Sequence, residues 1–257
     1  GLAVTLLIIQ YVRFELSYEN TYKNPEKIVR LTMDYMDGGT VNAQDCETYP
    51  PIGPRIKAEL SEVADFTRTY SVGEPDINFK VGDQPFLIEK VYAADPAFFS
   101  MFNYPLIHGN QADIFKEPYQ MVLSESTAMR LFNRVDVIGE TGILPLQEKD
   151  LTFKVVGVMP DSPPNTHLKI NMLISYPTMI SALGERDDNW SGNNTYTYVQ
   201  LADNASYERF STALAGFSDR MIAEDKIESE RVVGQKISDI HLHSQKTFEP
   251  ENNNEAL

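Results

Sequence analysis

Two histidines one residue apart, in the HLH of residues 241–243, are the chain's nearest approach to a metal-ligand pair. If KISDIHLHS (236–244) is a strand, His241 and His243 share a side, as positions i and i+2 do, and Asp239 joins them there. Two imidazoles and a carboxylate are ligands that zinc accepts. The spacing fits surface or packing histidines better, and no metal is assigned. Asp161, His167 and the serines at 124, 126 and 162 supply the residue types of a hydrolase triad. No G-x-S-x-G elbow accompanies them, and nothing marks an oxyanion hole. Ser124 instead opens SESTAMRLF (124–132) as a helix cap, while Asn165 and His167 sit in a Pro-rich turn that feeds a strand. No catalytic residue is assigned. G-x-x-x-x-G-K-[ST] and G-x-G-x-x-G are both missing, so no phosphate-cradling loop and no cofactor site is expected. Trp190, Tyr196 and Tyr198, in DDNWSGNNTYTY (187–198), make an aromatic and polar stretch that reads as a candidate partner-contact patch, although aromatics at strand edges also complete cores.

Composition narrows the classes further. The chain has 257 residues, 42% of them hydrophobic, enough for one large domain or two that share an interface. With 37 acidic against 22 basic side chains and a net charge of −15, its field repels nucleic acid and anionic headgroups, so no nucleic-acid partner is expected. Cys46 is the single cysteine, which rules out an internal disulfide and a cysteine-built zinc cluster.

The elements that would position these residues fall into two textures. KIVRLTMDYM (27–36) alternates, with Val29, Leu31, Met33 and Tyr35 on one face, and reads as a half-buried strand. TYPPIGPRIKAELSEV (48–63) has prolines at 50, 51 and 54 suited to a helix entry, with Ile56, Leu60 and Val63 on one side; ADFTRTYSV (64–72) alternates again. Near the other end TYTYVQLA (195–202) is a strand, and 204–223 is a helix with Asn204 or Ser206 as N-cap and Phe210, Leu214, Phe217 and Met221 as its stripe. KISDIHLHS closes this second unit as a strand. Between these units lie a hairpin about Gly82-Asp83 (77–95), a strand at 150–160, a helix at 95–102 capped by Asp95, and the 124–132 helix with Ala128, Met129, Leu131 and Phe132 inward. The expected fold is therefore α+β with two lobes. One is a two-layer sandwich of two βαβ units from 23–72 and 194–244, with both helices on one face. The other is a mixed β-rich lobe, 73–193, inserted between them.

The first residues do not belong to either lobe. In GLAVTLLIIQYVRFELSYENTY (1–22), Leu2, Val4, Leu6, Leu7, Ile8, Ile9 and Val12 make an apolar run without the basic segment or cleavage site of a secretory signal. A helix from Leu2 to Val12 rises roughly 17 Å, against about 30 Å of hydrocarbon. It reads as the outer end of a membrane helix, with 13–22 as its extension away from the membrane. At the other end, 245–257 reads as a polar tether, and about 20 apolar residues are expected soon after Leu257 in the full-length protein.

Five stretches in order carry a resemblance: YVRFELSYENTYKNPEKIVRL (11–31), AADPAFFSMFNYPLIHGN (93–110), MVLSESTAMRLFNRVDVIGE (121–140), FKVVGVMPDSPPNTHLKINMLIS (153–175) and ISDIHLHS (237–244). Together they resemble the extracytoplasmic core domain of MacB/FtsX-type permeases of ABC transporters. The departure is Val137, where that family usually has proline, and it bears on one turn. The resemblance implies a two-lobed domain between the first and second transmembrane helices, on the periplasmic side of a bacterial inner membrane. It implies no enzyme activity, but mechanical coupling of cytoplasmic ATP hydrolysis to substrate efflux or extraction. Implied partners are a cytoplasmic ATP-binding subunit or domain, a second permease subunit, a periplasmic adaptor, and the membrane through the N-terminal helix. The alternative from another class is a ligand-sensing or solute-binding domain of a membrane receptor, which requires a concave pocket with convergent polar groups.

Overall fold

A computed structural model describes residues 1–73, 75–184 and 187–250. The chain opens with α1 (Leu2–Glu15), and a 3-10 turn at Pro25–Lys27 leads into β1 (Ile28–Asp37), which folds back as β2 (Thr40–Asp45). Next come α2 (Ile52–Glu59), β3 (Val63–Ser71), β4 (Asp76–Val81), β5 (Gln84–Glu89), β6 (Val91–Ala94) and α3 (Phe98–Met101). The middle continues with β7 (His108–Gly109), β8 (Gln120–Ser124), α4 (Glu125–Phe132), β9 (Thr141–Leu146), β10 (Lys149–Met159), β11 (Met172–Ser175) and α5 (Tyr176–Leu183). It closes with β12 (Tyr196–Leu201), α6 (Tyr207–Ala223), β13 (Arg231–Lys236), a 3-10 turn at Ile237–Asp239 and α7 (Ile240–His243).

The strands join in one mixed sheet of order β13-β1-β12-β3-β6-β11-β8-β10-β9-β4-β5, with β2 beside β1 and β7 beside β10. Because β1 is antiparallel to both β12 and β13, and β12 is antiparallel to β3, each crossover helix links two parallel strands with one strand between them. This is the split βαβ arrangement, used twice and interleaved. The fold is α+β. Strands drawn from 28–71 and 196–236 meet those drawn from 76–175 at one seam, β3 against β6, through Thr69↔Ala94, Tyr70↔Ala93 and Ser71↔Tyr92.

Strand alternation decides what each face covers. Val29, Leu31 and Met33 of β1 point to one side, where Ile52 and Ile56 of α2 and Phe210, Leu214, Phe217 and Met221 of α6 close a core. Each such side chain, once buried, contributes roughly 1.5–3 kcal/mol. Ser206 is the N-cap of α6, its hydroxyl accepting from the Arg209 amide at 3.3 Å. Gly53 lets α2 lie down on the sheet, since a Cβ there would come within 2.6 Å of the Phe66 ring.

Several expectations change here. β1 is buried on both sides over its first six residues, not half-buried, because α3, Tyr22, Ile237 and Ile240 cover its other face. The closing strand is β13, and ISDIHLHS turns helical instead. Ile237 and Ile240, three apart and both fully buried, enter the core together only on a helical turn. His241 and His243 therefore sit on nearly opposite sides of α7. α3 starts at Phe98, and Asp95 does not cap it with its side chain. Met129 of α4 is exposed while Ala128 and Leu131 turn inward, because the short helix presents only a narrow stripe to the sheet.

Asp95 is claimed by Arg68. The Arg68 guanidinium, 3% exposed, donates through Nε and Nη2 to the two Asp95 oxygens at 2.9 Å each, and through Nη1 to the Pro50 carbonyl at 3.1 Å and to Asp187 at 2.6 Å. It also lies 3.9 Å over the Tyr176 ring. One buried cation thus ties β3 to the turn after β6, to the entry of α2 and to α5. Removing one partner of a buried pair strands the other charge. Asp95→Ala is expected to lower stability by about 3–5 kcal/mol in urea denaturation, since the half-exposed Asp187 compensates poorly, whereas Arg68→Met with Asp95→Leu recovers most of the loss.

Candidate functional site

Where α1 meets the body, buried charges gather. Along α1 the apolar side chains stay exposed, Leu2 at 77% and Leu7 at 65%, until Glu15, which is 7% exposed. Among the described residues no helix is long and apolar enough to cross a membrane. The Glu15 carboxylate takes a 2.6 Å hydrogen bond from His241 Nε2, and the Tyr18 ring stacks on the His241 imidazole with centroids 3.3 Å apart. Entry and exit segments of the chain are thus tied to each other directly.

One turn later the chain docks onto the 160–171 loop. Asn165 Nδ2 donates to the Ser17 carbonyl at 2.9 Å, and the Glu19 amide donates to the Asn165 carbonyl at 3.1 Å. Glu19 itself is 1% exposed and has φ of +63°, a left-handed conformation that costs a non-glycine residue roughly 1–2 kcal/mol. Its Oε1 accepts from the His167 amide at 2.7 Å and lies 2.8 Å from His167 Nδ1; its Oε2 accepts from the Thr166 hydroxyl at 3.1 Å. Burial alone would raise the Glu19 pKa, but the His167 charge and these hydrogen bonds reverse the sign and hold it below the ordinary value. Tyr22 adds a 2.5 Å hydroxyl contact to Thr166.

His167 passes the connection inward. Its Nε2 lies 2.8 Å from the Tyr198 hydroxyl, which burial pushes far above the usual tyrosine range and so keeps protonated. Nδ1 thus faces the Glu19 carboxylate and Nε2 the Tyr198 hydroxyl. On the sheet, Tyr198 is the cross-strand neighbour of Arg30. Arg30, with no exposed surface, makes a two-pronged pair with Glu249, at 2.7 Å through both Nη1 and Nη2, and bonds Gln235 Oε1 and the Ser244 hydroxyl. Residues 247–249 are held as well, because the Cys46 thiol donates to the Thr247 and Phe248 carbonyls and the Tyr196 hydroxyl donates to the latter at 2.9 Å. A polar row therefore runs Glu19–His167–Tyr198–Arg30–Glu249, from the entering chain across the sheet to the leaving chain.

Glu19, His167 and Tyr198 have the relay order of a catalytic triad, and Tyr198 is fully buried. The row positions chain. Of the hydrolase set considered from sequence, Ser124, Ser126 and Asp161 come together at the start of α4, where Ser124 caps the helix and Asp161 accepts from the Ser126 amide, while His167 faces Glu19 instead. Among the described residues no three His, Cys, Asp or Glu side chains are grouped to hold a metal. Trp190, Tyr196 and Tyr198 do not make one patch, because Tyr196 and Tyr198 point into the core on the α3 side while Trp190 packs with Tyr49 on the α2 side. The tether expectation is also corrected for 245–250, which docks through Thr247 and Glu249; 251–257 lie outside the described residues. Sequence reasoning gave Arg30 and Glu249 no role and read Glu15 and Glu19 only as polar residues where a helix leaves a membrane. The available signal was Arg30, a charge in the middle of the apolar IVRLTM run. A cavity of about 840 Å³ opens over the seam, lined by Tyr70, Tyr92, His167 and Tyr196 among others.

The family described as the MacB-like periplasmic core domain matches residues 1–217. Among solved structures, a domain of a permease protein from Porphyromonas gingivalis is 22% identical with a TM-score of 0.69, covering 84% of this chain and 92% of that one. The periplasmic region of MacB from Actinobacillus actinomycetemcomitans is 16% identical with a TM-score of 0.57, covering 88% and 94%. The extracellular domain of the noncanonic ABC-type transporter YknZ from Gram-positive bacteria is 13% identical with a TM-score of 0.54, covering 80% and 99%. At these identities the structures speak to the fold. No curated protein sequence matches the chain.

A carboxylate held below its ordinary pKa contributes stability above its unfolded pKa, and that contribution disappears as pH falls through the folded value. Glu19→Gln is therefore expected to cost about 1–3 kcal/mol at pH 7 and to lose less than the wild type on acidification below about pH 4.5, measured as urea midpoints across pH. Parallel curves for the two proteins contradict this.

Proposed function

The chain belongs to the MacB-like periplasmic core domain family, and from that premise we propose that it is the mechanical part of an ABC transporter permease, carrying motion between membrane helices and a periplasmic body. Its family is one of transporter-permease domains and not of enzymes. The observation that carries the proposal is the docking of the entering and leaving segments on one face of the sheet, through Glu15 and Glu19 on one side and Glu249 on the other, joined by the row through His167, Tyr198 and Arg30.

The physical argument is one of stiffness. A pull on α1 loads Glu15–His241 and Glu19–His167, and a pull on the leaving chain loads Arg30–Glu249. Breaking a buried pair costs about 3–5 kcal/mol, so small displacements move the body as a unit before the contacts yield. In this reading α1 is the outer end of a membrane helix, its apolar side chains facing lipid on the periplasmic side of an inner membrane. ATP is hydrolysed by a cytoplasmic subunit, and the body works against a second permease subunit or an adaptor to drive efflux or extraction. The second reading, a solute-binding receptor domain, is favoured by the cavity over the seam; dose-dependent thermal stabilisation by a small metabolite supports it.

In the intact transporter, Glu19→Gln combined with His241→Ala is expected to leave ATP hydrolysis running while transport falls severalfold. Undiminished transport contradicts mechanical coupling at this junction. For the membrane role of α1, the chain is expected to float with phospholipid vesicles and a version lacking residues 1–12 to stay in solution with its melting temperature unchanged. A large drop in melting temperature instead assigns the segment to the core.

A further inference from the structure

The local caps at the end of α1 come from exposed side chains: the Ser17 hydroxyl donates to the Phe14 carbonyl at 2.7 Å and Asn20 Nδ2 to the Leu16 carbonyl at 3.2 Å. Between Glu15 and Asn24 there is neither glycine nor proline, and Leu16, which caps α1, still has helical backbone angles. The stop signal comes later. Asn24 has a left-handed φ of 54° and is followed by Pro25, the pair expected just past a helix C-terminus. The residues between keep helical spacing, with Glu15 and Glu19 four apart and Phe14, Tyr18 and Tyr22 at successive intervals of four.

Buried tertiary contacts reinforce these exposed local caps. Asn165 takes the Ser17 carbonyl and receives the Glu19 amide, the groups that a continuing helix would use internally. His167 and Thr166 then fix the Glu19 carboxylate, holding its backbone in a left-handed conformation that only an over-determined environment maintains. A strained, buried, fully hydrogen-bonded acid at the joint between a rod and a body is a latch.

We propose that Glu19 is a conformational latch: docked on His167 it holds residues 16–23 out of the helix, and when it is released α1 runs on to the Asn24-Pro25 stop. This deepens the mechanical reading and rests on it. Eight residues of new helix add about 12 Å of rod, so release changes the reach of α1 and not only its attachment. On release Glu19 moves from a buried cradle to the surface of a helix, where its charge is solvated. The docked state is favoured at rest because the His167 amide and Nδ1 would otherwise lose the Glu19 carboxylate, and load along α1 shifts the balance.

Hydrogen exchange by mass spectrometry tests this on the chain in detergent micelles, which accommodate α1. Glu19→Ala and His167→Ala remove opposite sides of the latch. Both are expected to speed exchange at residues 166–168, by about tenfold or more as the loop loses its cover, and to slow it at residues 18–22 as helix forms there. Slow exchange in one segment with fast exchange in the other is the signature, and any other pattern overturns the proposal. Faster exchange in both segments makes residues 16–22 a plain tether and leaves the mechanical reading standing. That reading fails separately, on undiminished transport by the Glu19 and His241 variants.

Discussion

Taking a charge out of water costs several kcal/mol per ion even in a relaxed protein, and this chain does so on both faces of its sheet. Arg68 is buried on the face that α2 and α5 cover, Arg30 on the face that α3 covers, and Glu15 and Glu19 where the chain arrives. None can remain without a counterpart, and in each case the counterpart comes from a distant part of the chain: Asp95 for Arg68, Glu249 for Arg30, His241 for Glu15 and His167 for Glu19. The apolar cores make the layers cohere. The buried charges decide which segments are stitched to which, because an unpaired one would be costlier than any single packing defect.

The stitches serve two purposes. Arg68 closes the seam between β3 and β6, where only three residue pairs of the ladder join the two halves of the sheet. Without that cation the ladder at the seam would be a short antiparallel contact alone. Arg30 and the two glutamates instead anchor the chain ends. They do so on a single face, so force applied at either end enters the body through neighbouring strands. Both attachments lie close together, held along the row from Glu19 to Glu249 by hydrogen bonds of 2.7–2.8 Å at Glu19–His167, His167–Tyr198 and Arg30–Glu249.

The site was legible only in pieces. His167 and Tyr198 drew notice from sequence, but as part of a turn feeding a strand and as a partner-contact or core aromatic, since their types say nothing about what they will face. Asp95 read as a helix cap because it precedes a proline, and its real partner lies 27 residues back on another strand. The histidines of HLH could be weighed as a metal corner, and set aside as packing or surface residues, only while that segment was taken for a strand. Once Ile237 and Ile240 turn it helical, one imidazole stacks on Tyr18 and the other points elsewhere.

Local patterns were enough to determine the helical stripe of α6, with its cap narrowed to Asn204 or Ser206, the Ser124 cap of α4, the hairpin at Gly82-Asp83, and an α+β fold class. Each follows from a periodicity or a cap that acts within a few residues. The sequence alone also marked α1 as too apolar for an acidic chain. Tertiary structure decided the interleaved strand order, the burial of both faces of β1, and the pairing of every buried charge. These depend on contacts between residues as far apart as Glu15 and His241, and no local preference encodes a partner 226 positions away.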